Sequence, residues 1–579
     1  MAEKIVDAPA APASPDNTNS RRPAVAATVW PSLRLASQTF FFGVFLFLLV
    51  RTEFRGSLRS AETAVRLPWP VSIFLESDPL VAVANALSTG ALYRGLLWSL
   101  VILVPTLFLG RFFCGWICPF GTLNHFFGAM KSEKKRGQKL LESNRYKKWQ
   151  ASKYYILAVT LVLAVFGTLV VGLLDPISLL VRSLSVAVLP AFNYAANATF
   201  EAMYASGLRP FELAADGGRL ILQSTILSFR QPYFSQAAFV GLILVFILVL
   251  NARVTRFWCR AICPLGALLG LASRWSIVNL HKDDEACDSC RRCLLRCQGG
   301  DDPLPGAPWR KPECHLCFNC VSECPQNALG FKIGATAAQA KDAPELQRRK
   351  VMAGLAAAAG MLPLLRSTRA LTAEPDPRLI RPPGSLAEDE FLARCIRCGE
   401  CMKVCPNNAL HPTLTEAGIE GLWSPVLVPR IGYCEPSCVL CGQVCPTGAI
   451  WELTQVEKVG RPAGGPSGEP AVEANKIGTA FYDHGRCLPW SMATECIVCE
   501  EWCPTSPKAI YLRPAEVVDA KGNAKIVRQP HVNPENCTGC GACEYACPIH
   551  DRPAVYVTSI GESRSRTNQI LLDRGGPPR

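Results

Sequence analysis

The stretch Cys537-Thr538-Gly539-Cys540-Gly541-Ala542-Cys543-Glu544-Tyr545-Ala546-Cys547-Pro548 decides the fold of this chain. In this Cys-x2-Cys-x2-Cys-x3-Cys-Pro spacing, three thiolates in a tight loop bind three irons of one cubane, and the fourth reaches a neighbouring cluster. Groups of this kind therefore work in pairs. Four groups in the chain have this cysteine spacing and two are variants of it, so we expect six [4Fe-4S] clusters and an electron-carrying protein.

Together with two Cys-x3-Cys-Pro pairs, the six groups account for all 28 cysteines. The predicted cluster ligands are Cys287, Cys290, Cys293, Cys297; Cys314, Cys317, Cys320, Cys324; Cys395, Cys398, Cys401, Cys405; Cys537, Cys540, Cys543, Cys547; and, in the variants, Cys434, Cys438, Cys441, Cys445 and Cys487, Cys496, Cys499, Cys503. Only Cys297, which precedes Gln298, lacks the proline that follows the fourth cysteine. The alternatives are zinc sites and a disulfide framework. Zinc leaves the regular spacing unexplained, and disulfide frameworks are typical of small secreted domains rather than of 579 residues.

The first half of the chain is apolar. Hydrophobic residues make up 49% of the chain, and its mean hydropathy is +0.17. Apolar runs close to the roughly 20 residues of a membrane helix lie at Leu35–Val50, Gly95–Gly110, Tyr154–Leu174 and Phe234–Leu250. The loop Lys131–Lys153 has nine Lys or Arg against two Glu, which places it in the cytoplasm. The net charge of +13 follows the ends of these spans rather than one soluble face, so we do not expect nucleic acid as a partner.

A tandem repeat lies in the membrane half. The eleven residues Arg111–Gly121 match Arg256–Gly266 at seven positions, and each copy contains a Cys-x3-Cys-Pro pair. The sequence predicts a duplicated hairpin with both pairs on the cytoplasmic side. Cysteines four apart share a helix face, so the four thiols could form a seventh metal centre; the alternative is four reduced structural thiols. They are Cys114, Cys118, Cys259 and Cys263.

Three charged residues lie near the predicted outer ends of these spans. Asp78 and Asp175 each precede a proline, and Arg182 lies in an apolar stretch. Ionisable groups inside a membrane suggest function, here contact with quinol and its protons, whereas Asp-Pro commonly just starts a turn or helix. No haem is expected, because none of the seven histidines lies in a predicted span and Cys-x2-Cys-His is absent.

The segment that follows the second cluster group is similar to an export signal. Arg348 and Arg349 precede the apolar run Val351–Leu365, and a Pro-rich stretch follows at Glu374–Gly384. This is the pattern of a twin-arginine signal, and we interpret it as a retained fifth span. Groups three to six then lie outside the cytoplasm.

The motifs resemble a known pair of proteins. Residues 30–330 resemble the NapH type of quinol dehydrogenase subunit associated with periplasmic nitrate reductase, and residues 345–560 resemble its partner NapG, an exported four-cluster ferredoxin. The Cys487-x8-Cys496 variant is the most specific element. The methylamine-utilisation ferredoxins share these motifs, as do in part the membrane regulators of nitrous oxide reduction, so the resemblance implies the module rather than the pathway.

The resemblance also implies which groups exchange their fourth ligands. In the carboxy-terminal domain the third group would pair with the sixth, and the fourth with the fifth. Cys547 would then complete the cluster of Cys395, and Cys445 that of Cys487. In the cytoplasmic domain the two groups would exchange Cys324 and Cys297.

The expected fold is a membrane α-helical hairpin repeat of about four spans plus one, with a two-cluster bacterial ferredoxin domain and a loop-rich α+β four-cluster ferredoxin domain. The predicted divisions are a disordered tail at 1–30, a membrane domain at 31–275, a cytoplasmic ferredoxin domain at 276–340, a membrane segment at 345–372, an extracytoplasmic ferredoxin domain at 385–560 and a tail at 561–579.

The predicted function is that of a quinol dehydrogenase component in the bacterial inner membrane, with ferredoxin domains on both sides. It would take electrons from the quinone pool and pass them to a periplasmic reductase or another redox enzyme. A donor for maturation of a periplasmic enzyme has the same motifs and differs only in its acceptor. A redox-sensing regulator is the third class, for which the sequence shows no signalling domain.

Overall fold

The structure is a computed structural model. It describes residues 25–54, 66–69, 72–132, 138–228, 231–251, 253–301, 303–304, 307–334, 340–341, 344, 346–371, 376–461, 471–519 and 521–570. Most of the predicted amino-terminal tail and the end of the predicted carboxy-terminal tail lie outside these residues.

The first 275 residues are helical throughout the part that the structure describes. The helices of seven or more residues are Val25–Arg51, Pro79–Thr89, Leu100–Leu109, Pro119–Ser132, Gln138–Asn144, Ser152–Val165, Pro176–Ser183, Leu189–Ala205, Arg209–Thr225, Ala237–Asn251 and Pro264–Ala272. Shorter helical segments lie at Ile73–Glu76, Arg94–Ser99, Phe112–Trp116, Lys148–Ala151, Val171–Leu174, Leu184–Val188, Phe257–Ala261 and Ser273–Trp275. The segment Leu184–Val188 is a π-turn that joins two helices into one rod, Pro176–Ala205.

Among the residues that the structure describes, two helices are long and apolar enough to cross a membrane. They are Val29–Arg51 and Pro176–Ala205, whose apolar windows are 28% and 67% buried inside the protein. The first contains the predicted span Leu35–Val50. The second was not predicted as a span, because Arg182 and several polar residues interrupt its sequence.

The other predicted spans form shorter helices. Gly95–Gly110 ends at Gly110, whose φ is +97°, and the helix within Tyr154–Leu174 ends before Gly167, whose φ is +78°. Glycine adopts such angles at little cost. These helices therefore end inside or at the end of the apolar runs that a hydropathy count treats as continuous spans. Phe234–Leu250 contributes the 15-residue helix Ala237–Asn251. Of the four predicted spans, only Leu35–Val50 therefore lies in a helix that is long and apolar enough to cross a membrane, within the described part of the chain.

The predicted hairpin repeat is not evident across whole helices. The duplication is confined to the eleven-residue motif, in which a five-residue helix, Phe112–Trp116 or Phe257–Ala261, precedes a helix that begins at Pro119 or Pro264. The two Asp-Pro dipeptides begin helices, which is the alternative to a role in quinol contact that the sequence offered.

Two ferredoxin-type regions follow. In the first, the strand Val278–Lys282 pairs with Leu329–Ile333, and Trp309–Arg310 pairs with Ala340–Lys341. In the second, the paired strands are Leu410–Pro412 with Pro425–Leu427, Thr479–Tyr482 with Val555–Thr558, and Ile510–Val518 with Ala524–Val532. Single helical turns follow the cysteine loops, and the predicted fifth span lies in the helix Arg348–Leu371.

The two regions contact opposite ends of the helix Ser152–Val165. At its start, Lys153 forms an ion pair with Glu313 of the first region. Beyond its end, Arg397 of the second region donates a hydrogen bond to the backbone carbonyl of Leu169. At 1.5 Å per residue, the helix separates these contacts by about 20 Å.

The helix Arg348–Leu371 runs parallel to Ser152–Val165. Near their starts, the backbone amide of Gln347 donates to the hydroxyl of Tyr155 at 3.0 Å. Near their ends, Arg366 donates to the carbonyl of Phe166. The helix therefore carries the chain from the end where the first ferredoxin region contacts the helical part to the end where the second does.

Candidate iron-sulfur centres

The cysteines of the first ferredoxin region form two sets of four, as expected. Cys293 is in electrostatic contact with Cys287, Cys290 and Cys324. Cys297, Cys314 and Cys320 each interact electrostatically with Cys317. This arrangement agrees with the exchange of Cys324 and Cys297 between the two groups.

The second ferredoxin region pairs its groups differently from the expectation. The third group exchanges fourth cysteines with the fourth, and the fifth with the sixth. Three of the sets line cavities of their own: Cys434, Cys438, Cys441 with Cys405; Cys487, Cys496, Cys499 with Cys547; and Cys537, Cys540, Cys543 with Cys503. The remaining set is Cys395, Cys398 and Cys401 with Cys445.

The expected pairing of the third group with the sixth and of the fourth with the fifth is therefore wrong. Cys445, which was expected at the cluster of Cys487, lies beside Cys395. Cys547, which was expected beside Cys395, lies beside Cys487. The exchange joins groups that are adjacent in the sequence.

The four cysteine sets of the second region form a row. Cys401 is close enough to Cys441 of the next set to interact with it electrostatically, and the backbone amide of Cys434 donates to the carbonyl of Cys540 at 2.8 Å. Cys543 interacts electrostatically with Cys499 of the last set. The row therefore runs from the Cys395 set through the Cys434 and Cys537 sets to the Cys487 set.

The environment of these thiols fits iron. Burial first, and then neighbouring thiolates, raise the pKa of Cys293 to about 11, and burial raises the pKa of Cys438 to about 12. Thiols with raised pKa values become thiolates only against a positive partner, which the irons of a cluster supply. Among the described residues, no group of three or more His, Cys, Asp or Glu is placed to hold a single metal ion.

The first cluster loop of the second region is packed into the helical part. Arg182 donates from Nη1 to the carbonyl of Arg397 at 3.0 Å, and its guanidinium lies 4.7 Å from the ring centre of Trp423. Gly172 packs against the backbone of Ile396 with no space for a side chain. The buried core of the helical part includes Ile396 and Cys398. Arg182 therefore joins the two parts.

Asp78 and Asp175 meet in this core. Each caps a helix: Asp78 Oδ1 accepts from the amide of Leu80 at 2.8 Å, and Asp175 Oδ2 accepts from the amide of Ser178 at 2.7 Å. Both are completely buried, and their carboxyl groups are close enough to interact with each other. Two buried carboxyl groups so close together cannot both be ionised without a large cost in free energy.

A cavity of about 470 Å³ lies between the helical part and the second ferredoxin region. Its walls combine apolar side chains with a few polar ones, which is typical of small-molecule sites. Residues from the helical part include Ser185, Leu189, Gln223 and Phe234, and residues from the cysteine loop include Met402 and the predicted cluster ligand Cys405. Sequence patterns gave no signal for this cavity, because it arises from the packing of distant segments.

The four remaining cysteines come together from the two motif copies. Cys114, Cys118, Cys259 and Cys263 are each less than a tenth exposed, and every pair among them is in electrostatic contact. Two arginines that were not predicted as functional lie beside them, Arg111 and Arg256. The repeat could have identified these two arginines, because each is the first residue of a motif copy.

The comparisons with known proteins agree with the cysteine chemistry. A family model described as a 4Fe-4S binding domain matches residues 91–138, 236–282 and 439–462. A second, described as a 4Fe-4S dicluster domain, matches residues 394–449 and 467–550. No solved structure matches the chain.

Several curated proteins are similar to part of the chain. The methylamine utilization ferredoxin-type protein MauM of Paracoccus denitrificans is 34% identical over 41% of this chain and 93% of its own length. MauM of Methylorubrum extorquens is 35% identical over 30% of this chain and 69% of its own length. The ferredoxin-type protein NapG of Escherichia coli is 30% identical over 31% of this chain and 71% of its own length. The chain is therefore a 4Fe-4S electron-transfer protein that belongs to the family of the MauM and NapG ferredoxin-type proteins.

Proposed function

We propose that the chain is a membrane-bound quinol dehydrogenase component in which a NapH-like helical part is fused to a NapG-like ferredoxin. It oxidises a membrane quinol and passes the electrons through [4Fe-4S] clusters to a periplasmic redox enzyme. The observation that carries this proposal is the row of four cysteine sets, because the first set is packed into the core of the helical part and two further sets separate it from the last. Such a row suits transfer between a membrane donor and a soluble acceptor.

The proposed topology rests on the two contacts with the helix Ser152–Val165. The first ferredoxin region contacts the start of this helix, which follows the basic loop Lys131–Lys153. The second contacts the chain beyond its end. Basic loops stay in the cytoplasm, which supports a cytoplasmic first region, an extracytoplasmic second region and a bacterial inner-membrane location.

The quinol head group is proposed to bind in the cavity between the helical part and the outer ferredoxin region. A volume of about 470 Å³ suits a head group, and Cys405 in its wall is a ligand of the second outer cluster. The helix in its other wall has a π-turn at Leu184–Val188, a feature frequent at functional sites. The cavity also keeps a short path from quinol to iron.

Oxidation of one quinol to quinone releases two electrons and two protons. The electrons enter the cluster row one at a time, since each cluster is a one-electron carrier. The buried carboxyl pair Asp78 and Asp175 is the candidate for proton exchange inside the helical part. Arg182, between this pair and the first outer cluster, fixes their relative position.

The experiment is stopped-flow reduction of the detergent-solubilised full chain by ubiquinol and menaquinol analogues, with cluster bleaching as the signal. Leu189→Trp fills the cavity, whereas Val188→Trp places the same ring at an exposed neighbouring position. We expect rapid bleaching in the wild type and the Val188 variant. In the Leu189 variant we expect it to be at least about tenfold slower, which corresponds to about 1.4 kcal/mol.

If no quinol reduces clusters that dithionite still reduces, the quinol proposal is wrong. The second candidate, an electron donor for metal or cofactor maturation of a periplasmic enzyme, then takes its place. It uses the same cluster row and differs only in its donor and acceptor.

A further inference from the structure

The four cysteines of the repeated motif form a built site rather than a loose group. Cys114 and Cys259 lie within the five-residue helices, and Cys118 and Cys263 directly precede the helices that begin at Pro119 and Pro264. Each motif copy therefore supplies two thiols in the same local geometry. Neither copy can surround a metal centre alone, but the two together supply the four thiolates that an iron-sulfur cluster requires.

The backbone donates hydrogen bonds to the sulfurs as it does in the ferredoxin regions. The amide of Gly121 lies 3.3 Å from Cys118 Sγ, and the amide of Gly266 lies 3.2 Å from Cys263 Sγ. In the ferredoxin regions, the amide of Ala409 lies 3.3 Å from Cys405 Sγ. Hydrogen bonds of this kind stabilise thiolate ligands and tune cluster potentials.

The two arginines cross between the copies. Arg256 of the second copy donates from Nη1 to the carbonyl of Cys114 in the first copy at 2.9 Å. Arg111 of the first copy has Nη2 3.9 Å from Cys114 Sγ and 2.8 Å from the position that a Cβ of Gly266 would occupy. Arg111 also interacts electrostatically with Cys114 and Cys263, and Arg256 with Cys118 and Cys259, so each guanidinium is close to thiols of both copies.

The charges match a cluster held by four thiolates. An oxidised [2Fe-2S] or [4Fe-4S] core carries two positive charges, so four thiolates leave a net charge of about −2. Arg111 and Arg256, both buried, supply +2. Within the described part of the chain, Arg111 Nε and the Nε and Nη2 atoms of Arg256 have no hydrogen-bond acceptor, which a buried cluster with sulfide acceptors would relieve.

The site adjoins the first ferredoxin region. Gly115, between the two cysteines of the first copy, packs against the carbonyl of His315 with no space for a side chain. Trp116 Nε1 donates to the carbonyl of Leu316 at 2.9 Å, and Arg111 Nη1 donates to that of Pro312 at 2.6 Å. The cluster loop that begins at Cys314 therefore lies directly on the motif.

We propose that Cys114, Cys118, Cys259 and Cys263 together ligate a seventh iron-sulfur cluster, an electron relay between the first ferredoxin region and the core of the helical part. This core also contains Cys398 of the first outer cluster. The relay gives electrons a path between the two ferredoxin regions that does not require quinol. Arg111 and Arg256 are positioning residues that balance the charge of the cluster.

The test is the metal content of the full chain, purified without oxygen, compared with a variant in which all four cysteines are serine. Iron and acid-labile sulfide are counted per chain, zinc is measured in the same samples, and low-temperature EPR follows stepwise reduction with dithionite. We expect the variant to lose one cluster, about four irons for [4Fe-4S] or about two for [2Fe-2S], together with one EPR signal. No quinol is used, so a failure of the quinol proposal does not affect this test.

A second variant covers the case in which the fourfold change prevents folding. Arg256→Gln keeps all four ligands and removes one positive charge beside the site. The loss of this charge favours the oxidised cluster over the more negative reduced cluster. We expect one signal to shift to a lower potential with the iron content unchanged, whereas the exposed Arg274→Gln shifts none. Equal iron in the folded serine variant and the wild type would overturn the proposal. The proposal would also be wrong if the wild type contained zinc and the serine variant had lost that zinc.

Discussion

Gly115 packs against the backbone carbonyl of His315, and the contact leaves no space for a side chain at position 115. This contact brings the loop of Cys314 and Cys317 onto the helical part. Two residues 200 apart in the sequence thus fix how the first ferredoxin region is seated.

Gly115→Ala should therefore unseat this loop. The added methyl group forces the carbonyl of His315 to move, and overpacking of this kind costs about 1–3 kcal/mol. We expect the EPR signal of one cluster in the first ferredoxin region to broaden or disappear. The temperature at which the clusters bleach should fall. Gly128→Ala is the matched control, because a Cβ at Gly128 meets nothing within 4 Å. Equal behaviour of the two variants would contradict the contact.

The pairing of the cysteine groups in the second ferredoxin region can be tested by counting iron in double variants. Cys395→Ala with Cys445→Ala removes two ligands of one set, so the chain should lose one cluster, about four irons. Cys395→Ala with Cys547→Ala removes one ligand from each of two sets and should lose up to about eight irons. The opposite ranking would restore the pairing that the resemblance implies.

Arg182 should stabilise the contact between the helical part and the second ferredoxin region. Arg182→Gln removes the hydrogen bond to Arg397 and the contact with Trp423, and charge-assisted hydrogen bonds contribute about 1.5–3 kcal/mol each. We expect the cluster of the Cys395 set to bleach at a lower temperature. The EPR signal of this cluster, recorded as the temperature is raised, measures the change. The exposed Arg219→Gln, in the helix Arg209–Thr225, should leave that temperature unchanged.

The sequence predicted the ligands well because cysteine spacing is a local property. Three thiolates of one set come from a single loop, so their spacing alone identifies them. The fourth ligand is a tertiary contact: whether Cys445 or Cys547 reaches the set of Cys395 depends on which loops pack together. No local pattern contains that information, and the resemblance implied the wrong partner.

The helical part was harder to predict for a different reason. A hydropathy count measures composition, whereas a helix ends where the backbone turns, as at Gly110 and Gly167. The rod Pro176–Ala205 has the opposite character, since the polar residues of its first half, among them Ser178, Arg182 and Ser185, are buried inside the protein. The meeting of Asp78 with Asp175, 97 positions apart, likewise follows from packing, although both Asp-Pro dipeptides were visible in the sequence.

The pH dependence of stability should depend partly on Glu388 in the second ferredoxin region. Burial raises the pKa of Glu388, but Arg381 and Arg564 outweigh that effect and bring it to about 2, below the ordinary 4.5. The shorter contacts are 2.5 Å to Arg381 and 2.7 Å to Arg564. Because the folded pKa is depressed, the unfolded chain binds more protons between these values. The stabilisation is therefore complete above about pH 4.5 and is lost as the pH falls towards 2.

Glu388→Gln should lower the free energy of unfolding by about 1–3 kcal/mol at pH 7 and remove part of the loss of stability that occurs as the pH falls from about 4.5 towards 2. Denaturant titrations of the full chain at these pH values, followed by cluster absorbance, measure both effects. The exposed neighbour Glu390→Gln is the control and should change neither. A Glu388 variant whose stability falls with acid as steeply as that of the wild type would show that this carboxylate does not contribute to the acid sensitivity of the domain.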